Sequence, residues 1–364
     1  MNALSSLRCP VRGQVWLPGE GGFDAARRPW NLAIEQPVDA VVEAAAAHSL
    51  TGMPGSSPVV SVAGVALGGG LSWFGRAHGW IADNVTAFDI VDADGRERHI
   101  TADLEPDLFW ALRGGGGSFA IVTALELDLH PAPNLYGGRV LWLAEHAPAV
   151  LESFRDITAT APDALTLWLD LLHFPGAAPM VALDVTFLGD AKEARELLAP
   201  LDHLPSAMSD SRRAMSVAEI GSITAEPTEP SAGLSQGELL TTLDDVTAKT
   251  LLEQPVDPLL SLQLRHLGGA LARPSDSPHG ALAEPYAMYL FGLPTDAARA
   301  EAVTAKQRAL AAALPTSGRK PFSFLNPGEA IIDAFSPQVV ERLRDVKRRH
   351  DPHHVFRANF PVTT

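Results

Sequence analysis

The sequence contains a single cysteine, Cys9, and no long apolar run. One thiol excludes a disulfide within the chain and also a metal site built from several cysteines. No uninterrupted apolar segment approaches the roughly 20 residues of a membrane-spanning helix, and residues 1–22 lack the basic and apolar regions of a secretory signal. We therefore expect a soluble, cytoplasmic protein with no membrane partner.

Positive charge is also scarce. The chain has 28 Lys and Arg residues against 43 Asp and Glu residues, and its formal net charge is −15. Its one basic group, residues 347–349, falls at the end of a predicted helix, where cations complement the helix dipole. Because a nucleic-acid-binding surface needs clustered positive charge, we expect no nucleic-acid partner.

Two hydrolase patterns do not fit the candidate segments. The His-Glu-x-x-His spacing of a zinc hydrolase is not found among His130, His173, His203, His266 and His279, and residues 70–74 do not give the Gly-x-Ser-x-Gly order of a nucleophile elbow. The adjacent His353 and His354 cannot share a helix face, so a surface role is favoured over metal binding. We therefore expect no metal centre.

Glycines are the most informative residues that are present. In Ser61-Val-Ala-Gly-Val-Ala-Leu-Gly-Gly-Gly70, a predicted strand at residues 59–62 leads to three consecutive glycines, and a short helix is predicted over residues 70–78. Glycine lets the backbone approach a ligand closely, and a helix N-terminus directs N–H groups at an anion such as a diphosphate. The alternative is a tight turn that requires positive φ. The spacing does not match the Gly-x-Gly-x-x-Gly dinucleotide fingerprint.

A second glycine run, residues 114–117, joins a predicted helix at residues 104–112 to a predicted strand at residues 119–129. A flexible Gly/Ser linker is the alternative, but both flanks are strongly apolar and patterned. The two runs together predict glycine loops of the kind that hold a nucleotide.

Apolar strands alternate with helices from about residue 135. Strands are predicted at residues 138–143, 165–174, 181–188, 259–267 and 286–293, and helices at residues 147–160, 191–198, 237–252 and 295–314. This alternation predicts an antiparallel sheet covered on one face by helices. A last helix, residues 336–350, begins with Ser336 as its N-cap and Pro337 at its first position. The predicted fold class is α+β.

Four motifs in order carry a resemblance to a known family. They are Val62–Gly70; His78-Gly79 with Asp83-Asn84; Asp107–Gly117 with Ile121–Thr123; and His350-Asp351-Pro352 with Phe356-Arg357-Ala358-Asn359. Over nearly its whole length the chain resembles the berberine-bridge-enzyme-like FAD-linked oxidases, whose FAD-binding domain is of the PCMH or vanillyl-alcohol-oxidase type.

The resemblance implies three parts. A PCMH-type FAD-binding domain spans residues 1–134, an antiparallel-sheet substrate domain spans residues 135–335, and a C-terminal helix and tail, residues 336–364, return to the FAD domain. The residues implied to contact FAD are Ser61, Val62, Gly64, Gly68, Gly69, Gly70, Asp83, Ile121, Val122 and Asn359. The alternative for Asp83 is the end of a helix or turn.

The predicted strand at residues 259–267 would form part of the floor of the substrate site in that family. Its alternation places Gln263 and Arg265 on one face, and both are candidates for the substrate site. His266 falls on the other face, where a buried core residue is expected. The sequence assigns no other catalytic residue.

The sequence departs from the family near residues 40–48. Family members carry a first flavin-binding lobe there, with an Arg-x-Gly-Gly-His motif whose His is the usual attachment point of FAD. This chain has no Gly-Gly-His, and we interpret residues 40–48 as the join left by a deletion that truncates the FAD domain. Residues 55–58 read Gly-Ser-Ser-Pro where some members have an attaching cysteine. Any FAD is therefore expected to be non-covalent.

A second departure concerns a Tyr that many members use as a general base, because the matching residue here is Phe324. Our leading hypothesis is an FAD-binding oxidoreductase that moves hydride from a small organic substrate to flavin and then to molecular oxygen. The alternative is a catalytically inactive or truncated member that binds a small molecule or has no function. Loss of a lobe also predicts exposed apolar surface, and hence self-association.

Overall fold

Helices and strands are both abundant, so the α+β prediction is confirmed. The computed structural model describes residues 14–16, 19–21, 41–43, 50–57, 60–132, 134–227, 232–253 and 255–362. The strands are β1 (Gln14–Trp16), β2 (Val41–Glu43), β3 (Leu50–Thr51), β4 (Val85–Val91), β5 (Glu97–Thr101), β6 (Ile121–Leu127), β7 (His130–Pro131), β8 (Leu135–Leu143), β9 (Leu165–Leu172), β10 (Met180–Phe187), β11 (Ser209–Asp210), β12 (Arg213–Met215), β13 (Leu234–Leu240), β14 (Ser261–His266) and β15 (Tyr286–Gly292).

The α-helices are α1 (Val62–Leu67), α2 (Gly75–His78), α3 (Pro106–Leu112), α4 (Ala147–Thr160), α5 (Ala191–Leu197), α6 (Asp245–Glu253), α7 (Ala297–Ala313), α8 (Ile331–Ala334) and α9 (Pro337–His350). Short 3-10 helices lie at Ile81–Asn84, Ala144–His146, Ala199–His203, Val217–Ser222, Gly269–Ala272 and Phe322–Phe324. Among the described residues, no helix combines the length and the apolar character needed to cross a membrane.

A three-stranded antiparallel sheet, in the order β5-β4-β6, supports the glycine-rich part of the chain. β4 and β5 form the hairpin that the Asp94-Gly95 dipeptide predicts. Asp92 Oδ1 accepts the N–H groups of Asp94 and Arg96, each at 3.0 Å. Of the described strands, only β4 pairs with β6, so the outer side of β6 is a sheet edge. Aromatic side chains fill the core beside this sheet, namely Trp73, Phe74, Phe88, Phe109 and Phe119.

A large antiparallel sheet follows, in the order β11-β8-β10-β9-β14-β15-β13, with β12 also paired to β8. Side chains alternate along β9 between its two faces. Leu165 and Leu167 join the apolar core formed with helices α4, α6 and α7, whereas Thr166, Trp168 and Asp170 lie on the opposite face. That opposite face turns toward the glycine-rich part, because Trp168 packs in the core of the small sheet. The sheet is therefore covered by helices on one face, as predicted.

The C-terminal helix α9 begins as its sequence predicts. The Ser336 hydroxyl accepts the N–H of Val339 at 3.3 Å, and the buried Leu343 contributes to the core of the small sheet. The guanidinium of Arg342 lies 3.8 Å from the ring centre of Trp110 on α3. The helix therefore packs on the glycine-rich part of the chain, while the exact boundaries of the three parts stay predictions.

Three local assignments made from the sequence are wrong. Residues 237–252 form strand β13 and helix α6 rather than one helix, and a side chain at Gly237 would overlap the ring of Phe324. The Ala-rich sequence of residues 38–48 predicts a helix, but residues 41–43 form β2 and pair with β1. The strand predicted at residues 59–62 ends in a helix, since Val62 begins α1. Short apolar runs do not distinguish strand from helix.

Candidate functional site

The first glycine run follows a helix instead of preceding one. The Ser61 hydroxyl caps α1 by accepting the N–H of Gly64 at 3.1 Å, and Gly68 terminates the helix. The predicted arrangement, in which the glycines lead into a helix N-terminus, is therefore wrong. Ser61 is a good N-cap, and the glycines take the positions after the last helical turn, where positive φ is common.

Gly69 and Gly70 have φ values of +90° and +76°. A side chain at Gly70 would come within 2.6 Å of Val65 Cγ1 and 2.9 Å of Ile81 Cβ, and one at Gly69 would overlap the ring of His279. Both glycines are buried. The two glycines therefore form the tight turn with positive φ that was the alternative to a ligand-binding loop. Side chains of the protein itself fill the space beside them.

The second glycine run encloses the same imidazole from the other side. Gly114 has a φ of +102°, and a Cβ there would lie 2.8 Å from His279 Cδ2. The N–H of Gly116 donates to the carbonyl of Leu67 at 2.9 Å, which ties the two runs together. We call the space between Gly69 and Gly114 the glycine cradle.

His279 fills the glycine cradle with a flat heteroaromatic ring. Its side chain stacks on Trp80, with ring centres 4.5 Å apart, and only 6% of the residue is exposed. Burial, with a smaller contribution from Arg319, lowers the pKa of His279 to about 4, so the ring is neutral at pH 7. Among the described residues, its Nε2 makes no hydrogen bond. The cradle therefore fits a planar heteroaromatic group, and its present occupant comes from the chain itself.

Five of the predicted cofactor residues belong to two elements that contact each other near the surface. Ser61, Val62 and Gly64 belong to the start of α1, which contacts β6, where Ile121 and Val122 lie. Val62 is 57% exposed and Ile121 is 56% exposed. We call this patch the α1–β6 surface. Together with the sheet edge of β6, it offers apolar area and backbone groups to a ligand.

Asn359 and Asp83 occupy different positions from this patch. Asn359 is exposed on the tail after α9, and the tail returns to the glycine-rich part through the N–H of Val362, which donates to the Ser118 hydroxyl at 3.4 Å. Asp83 lies in a 3-10 turn and accepts the hydroxyl of Ser275 at 2.7 Å.

Asp83 therefore helps to anchor the loop that carries His279. Burial raises the pKa of Asp83, which its hydrogen bonds to Ser275 and Ser277 oppose. The neighbouring Arg113 adds a second anchor, because its Nη1 lies 3.0 Å from Asp276 Oδ1. Asp83 therefore lies in a turn, which was the alternative predicted for it from the sequence.

Gln263 and Arg265 share the face of the large sheet that turns toward the glycine-rich part. Arg265 Nε donates to Gln263 Oε1 at 2.5 Å. The guanidinium carbon of Arg265 lies 4.2 Å from the ring centre of Trp168. Trp168 in turn stacks on Trp73, with ring centres 3.5 Å apart. This stack connects the substrate-site candidates to the turn that follows the first glycine run.

Two further predictions concern the same region. Phe324 stands at the position of the missing Tyr. Its ring centre lies 5.5 Å from that of Tyr289 and 5.8 Å from the guanidinium carbon of Arg265. His266 is buried with its ring 6.0 Å from that of Tyr286. Burial lowers the pKa of His266 to about 3. The ring is buried, as expected, but its Nδ1 makes no hydrogen bond with a described residue.

A buried ionic group on this face was not predicted from the sequence. Arg139 Nε and Nη2 each lie 2.6 Å from an oxygen of Asp184, and Nη2 also lies 2.7 Å from Asp170 Oδ2. Burial and the neighbouring Asp184 raise the pKa of Asp170 to about 8. The signal was available, because charged residues inside the apolar strands β8, β9 and β10 mark a buried pair.

A Gly-x-Ser-x-Gly order, unnoticed in the sequence, occurs at residues 233–237. Ser235 lies within strand β13, and its hydroxyl is 3.3 Å from Asn326 Oδ1. A nucleophile elbow needs a sharp turn between a strand and a helix. This serine therefore does not have the geometry of a hydrolase nucleophile. No group of three or more metal-ligating side chains is found within the described ranges.

Comparison with known proteins finds FAD-linked oxidoreductases that are similar to this chain. A family profile described as an FAD binding domain matches residues 36–101. The chain is 29% identical to (R)-6-hydroxynicotine oxidase of Paenarthrobacter nicotinovorans over 346 residues, which cover 88% of this chain and 74% of that protein. It is 33% identical to glucooligosaccharide oxidase of Sarocladium strictum over 151 residues, or 40% of this chain and 29% of that protein.

Solved structures show the same fold. The chain superposes on 6-hydroxy-D-nicotine oxidase from Arthrobacter nicotinovorans with a TM-score of 0.76 and 21% identity, over 97% of this chain and 98% of that one. Berberine bridge enzyme from Eschscholzia californica gives a TM-score of 0.72 and 18% identity, over 86% of this chain and 72% of that one. Fold and sequence together define an FAD-linked oxidoreductase. Within that class, the chain is similar in sequence and fold to the berberine-bridge-enzyme-like FAD-linked oxidases.

Proposed function

We propose that this protein is an FAD-dependent oxidase that moves hydride from a small organic substrate to a non-covalently held FAD, and the electrons then to molecular oxygen. The observation that carries the proposal is the contact between the two halves of the site. The glycine-rich turn of the FAD domain, through Trp73, stacks on Trp168 of the sheet face that holds Arg265. Cofactor residues and substrate-site candidates therefore adjoin.

Non-covalent binding is supported by residue identity. The sequence has no Gly-Gly-His, and its one cysteine, Cys9, is distant in sequence from residues 55–58. Cys9 and residues 44–49, which include most of the predicted deletion join, lie outside the described residues. The truncation of the first lobe therefore stays a prediction, as do self-association and a cytoplasmic location.

The described residues fit FAD in part. The α1–β6 surface is open to a ligand, and its exposed Val62 and Ile121 suit the apolar side of a nucleoside. The glycine cradle suits a flat ring, but His279 holds that space. A flavin ring in the cradle requires the His279 loop to move. When bound, FAD supplies the hydride acceptor, and the protein's part is to position the substrate beside it.

The second candidate is a member that binds a small molecule without turnover. Two observations favour it: His279 fills the glycine cradle, and Phe324 stands where the family has a Tyr. Phenylalanine cannot take a proton, so Phe324 gives no general base at that position. The exposed α1–β6 surface favours the oxidase instead.

The visible absorbance spectrum separates these candidates. The purified protein is measured with and without added FAD, and again after acid precipitation. A flavin spectrum that passes entirely into the supernatant supports a non-covalent flavoprotein, and oxygen uptake with candidate substrates then tests oxidase activity. A yellow pellet would show that the non-covalent assignment is wrong. If the protein shows no flavin spectrum after incubation with excess FAD and removal of the unbound FAD, only the second candidate remains.

A further inference from the structure

Arg265 is an unusual buried cation. Only 8% of the residue is exposed, and its Nε donates to the neutral amide oxygen of Gln263. No carboxylate of the described chain lies within ion-pair distance of its guanidinium, and its terminal nitrogens make no hydrogen bond with a described residue. Buried charges are normally paired or fully hydrogen-bonded, because an isolated buried charge is strongly unfavourable.

The other buried cations of the described chain differ from Arg265. Arg76 donates to the backbone carbonyls of residues 161, 162, 165 and 267. Arg113 pairs with Asp276 at 3.0 Å, Lys320 with Glu238 at 2.9 Å, and Lys347 with its own carboxylate partner. Each of these four therefore has an anionic partner or several carbonyl acceptors, and Arg265 alone has a single neutral acceptor.

Neighbouring carboxylates do not supply the missing charge. Asp170 lies opposite Gln263 in the pairing of β9 with β14, but it hydrogen-bonds to Arg139, which also holds Asp184. The raised pKa of Asp170 keeps that carboxyl protonated at neutral pH. The positive charge of Arg139 is balanced by the carboxylate of Asp184, and Asp170 is neutral. No negative charge in this group therefore balances Arg265. Glu226, another acid that acts on Arg265, is exposed to solvent.

Aromatic rings surround the guanidinium. Its central carbon lies 4.2 Å from the ring centre of Trp168, 5.4 Å from that of Tyr289 and 5.8 Å from that of Phe324. An arginine fork matches a carboxylate in a planar, two-bonded arrangement. Rings beside such a fork favour a ligand whose carboxylate is attached to a flat apolar body.

We propose that Arg265, with Gln263 as its positioning partner, forms a binding site for an aromatic carboxylate. Gln263 holds Nε, so that the two terminal nitrogens remain for the ligand. As a substrate site, this assignment rests on the proposed oxidase function. As an anion site, it rests on the contacts of Arg265 and on the charge balance of its neighbours, and it does not need FAD to be bound.

The test is calorimetric titration of the full-length protein with benzoate and with its neutral isostere benzamide, without FAD. Benzoate is expected to bind at least tenfold more tightly than benzamide. Arg265→Met is expected to reduce benzoate affinity at least tenfold and to leave benzamide unchanged. Arg342→Met is the matched control, since Arg342 also stacks on a tryptophan but lies outside the site, and it should bind benzoate like the wild type.

Arg265→Lys keeps the protein testable if the methionine variant does not fold. Lysine retains the charge without the fork, so an intermediate loss of benzoate affinity is expected. Equal binding of benzoate and benzamide by the wild type, absence of benzoate binding, or full benzoate affinity in a folded Arg265 variant would each overturn the proposal. Benzoate binding by a protein that takes up no FAD would refute only the oxidase function.

Discussion

The contact between Gly69 and His279 makes a quantitative prediction about stability. Replacing Gly69 with Ala has two effects: it places a Cβ at a φ of +90°, and that Cβ overlaps the His279 ring. The left-handed conformation alone costs about 1–2 kcal/mol, and overpacking a core adds about 1–3 kcal/mol. We therefore expect Gly69→Ala to lower the free energy of unfolding by roughly 2–5 kcal/mol.

Removal of His279 should relieve only the second effect. In a His279→Ala background, the cost of Gly69→Ala should fall to about 1–2 kcal/mol, the cost of the backbone conformation. Gly95→Ala is the matched control, because Gly95 has a φ of +78° with no atom within 4 Å of a built Cβ. It should cost the same about 1–2 kcal/mol in both backgrounds.

Urea denaturation at pH 7.5, followed by circular dichroism, measures all four combinations as a double-mutant cycle. The expected result is a coupling between positions 69 and 279 of about 1–3 kcal/mol, with the pair less damaging than the sum. An equal cost of Gly69→Ala in both backgrounds would show that the His279 ring does not lie in the glycine cradle. The glycine cradle would then no longer be shown to accommodate a flat ring.

The occupied cradle and the C-terminal helix give two further predictions. His279→Ala should bind FAD several-fold more tightly than the wild type in a flavin fluorescence titration, because the imidazole no longer competes for the cradle; His266→Ala, which removes a buried histidine elsewhere, should not. Lys347→Met leaves the fully buried Asp351 without its cation and should lower the free energy of unfolding by about 3–5 kcal/mol. Arg348→Met, which removes an exposed cation one residue later, should change the free energy of unfolding by less than about 1 kcal/mol. Equal losses from the two variants would contradict the conclusion that Lys347 neutralises the buried Asp351.

Much of the fold follows from local sequence patterns. The strands β9, β10, β14 and β15 were predicted because apolar residues recur along short runs bounded by turns, and their helix-covered face follows from the intervening helical segments. Ser336 and Pro337 predicted the start of α9 because capping is a local interaction. The Asp94-Gly95 turn predicted the hairpin for the same reason.

The parts that were missed depend on contacts between distant residues. No local pattern joins Gly69 to His279, so the sequence could not reveal that the glycines accommodate a ring of the same chain. Residues 237–240 of strand β13 were assigned to a helix because a short apolar run does not distinguish strand from helix. The glycine at position 237 is explained by the close packing of Phe324. Arg265 was found through strand alternation, but its lack of a charged partner becomes visible only once the neighbouring strands are in register.

The ionisation of Asp170 links stability, pH and the anion site in one prediction. The pKa of this carboxyl is about 8 in the folded protein and ordinarily 3.8, so between those values the folded state binds a proton that the unfolded chain does not. Unfolding then releases a proton, and the stabilising contribution, complete below pH 3.8, is lost progressively as pH rises toward 8. Asp170→Asn removes this dependence while keeping a neutral group beside Arg139.

Urea denaturation at pH 5, 6.5 and 8 should therefore show the variant gaining stability relative to the wild type as pH rises. The groups that face Asp170 are Asp184 on β10, Arg139 on β8, and Gln263 and Arg265 on β14. A constant difference across this range would mean that Asp170 is ionised in the fold. It would then provide Arg265 with a nearby negative charge, and the need for an anionic ligand at that guanidinium would disappear.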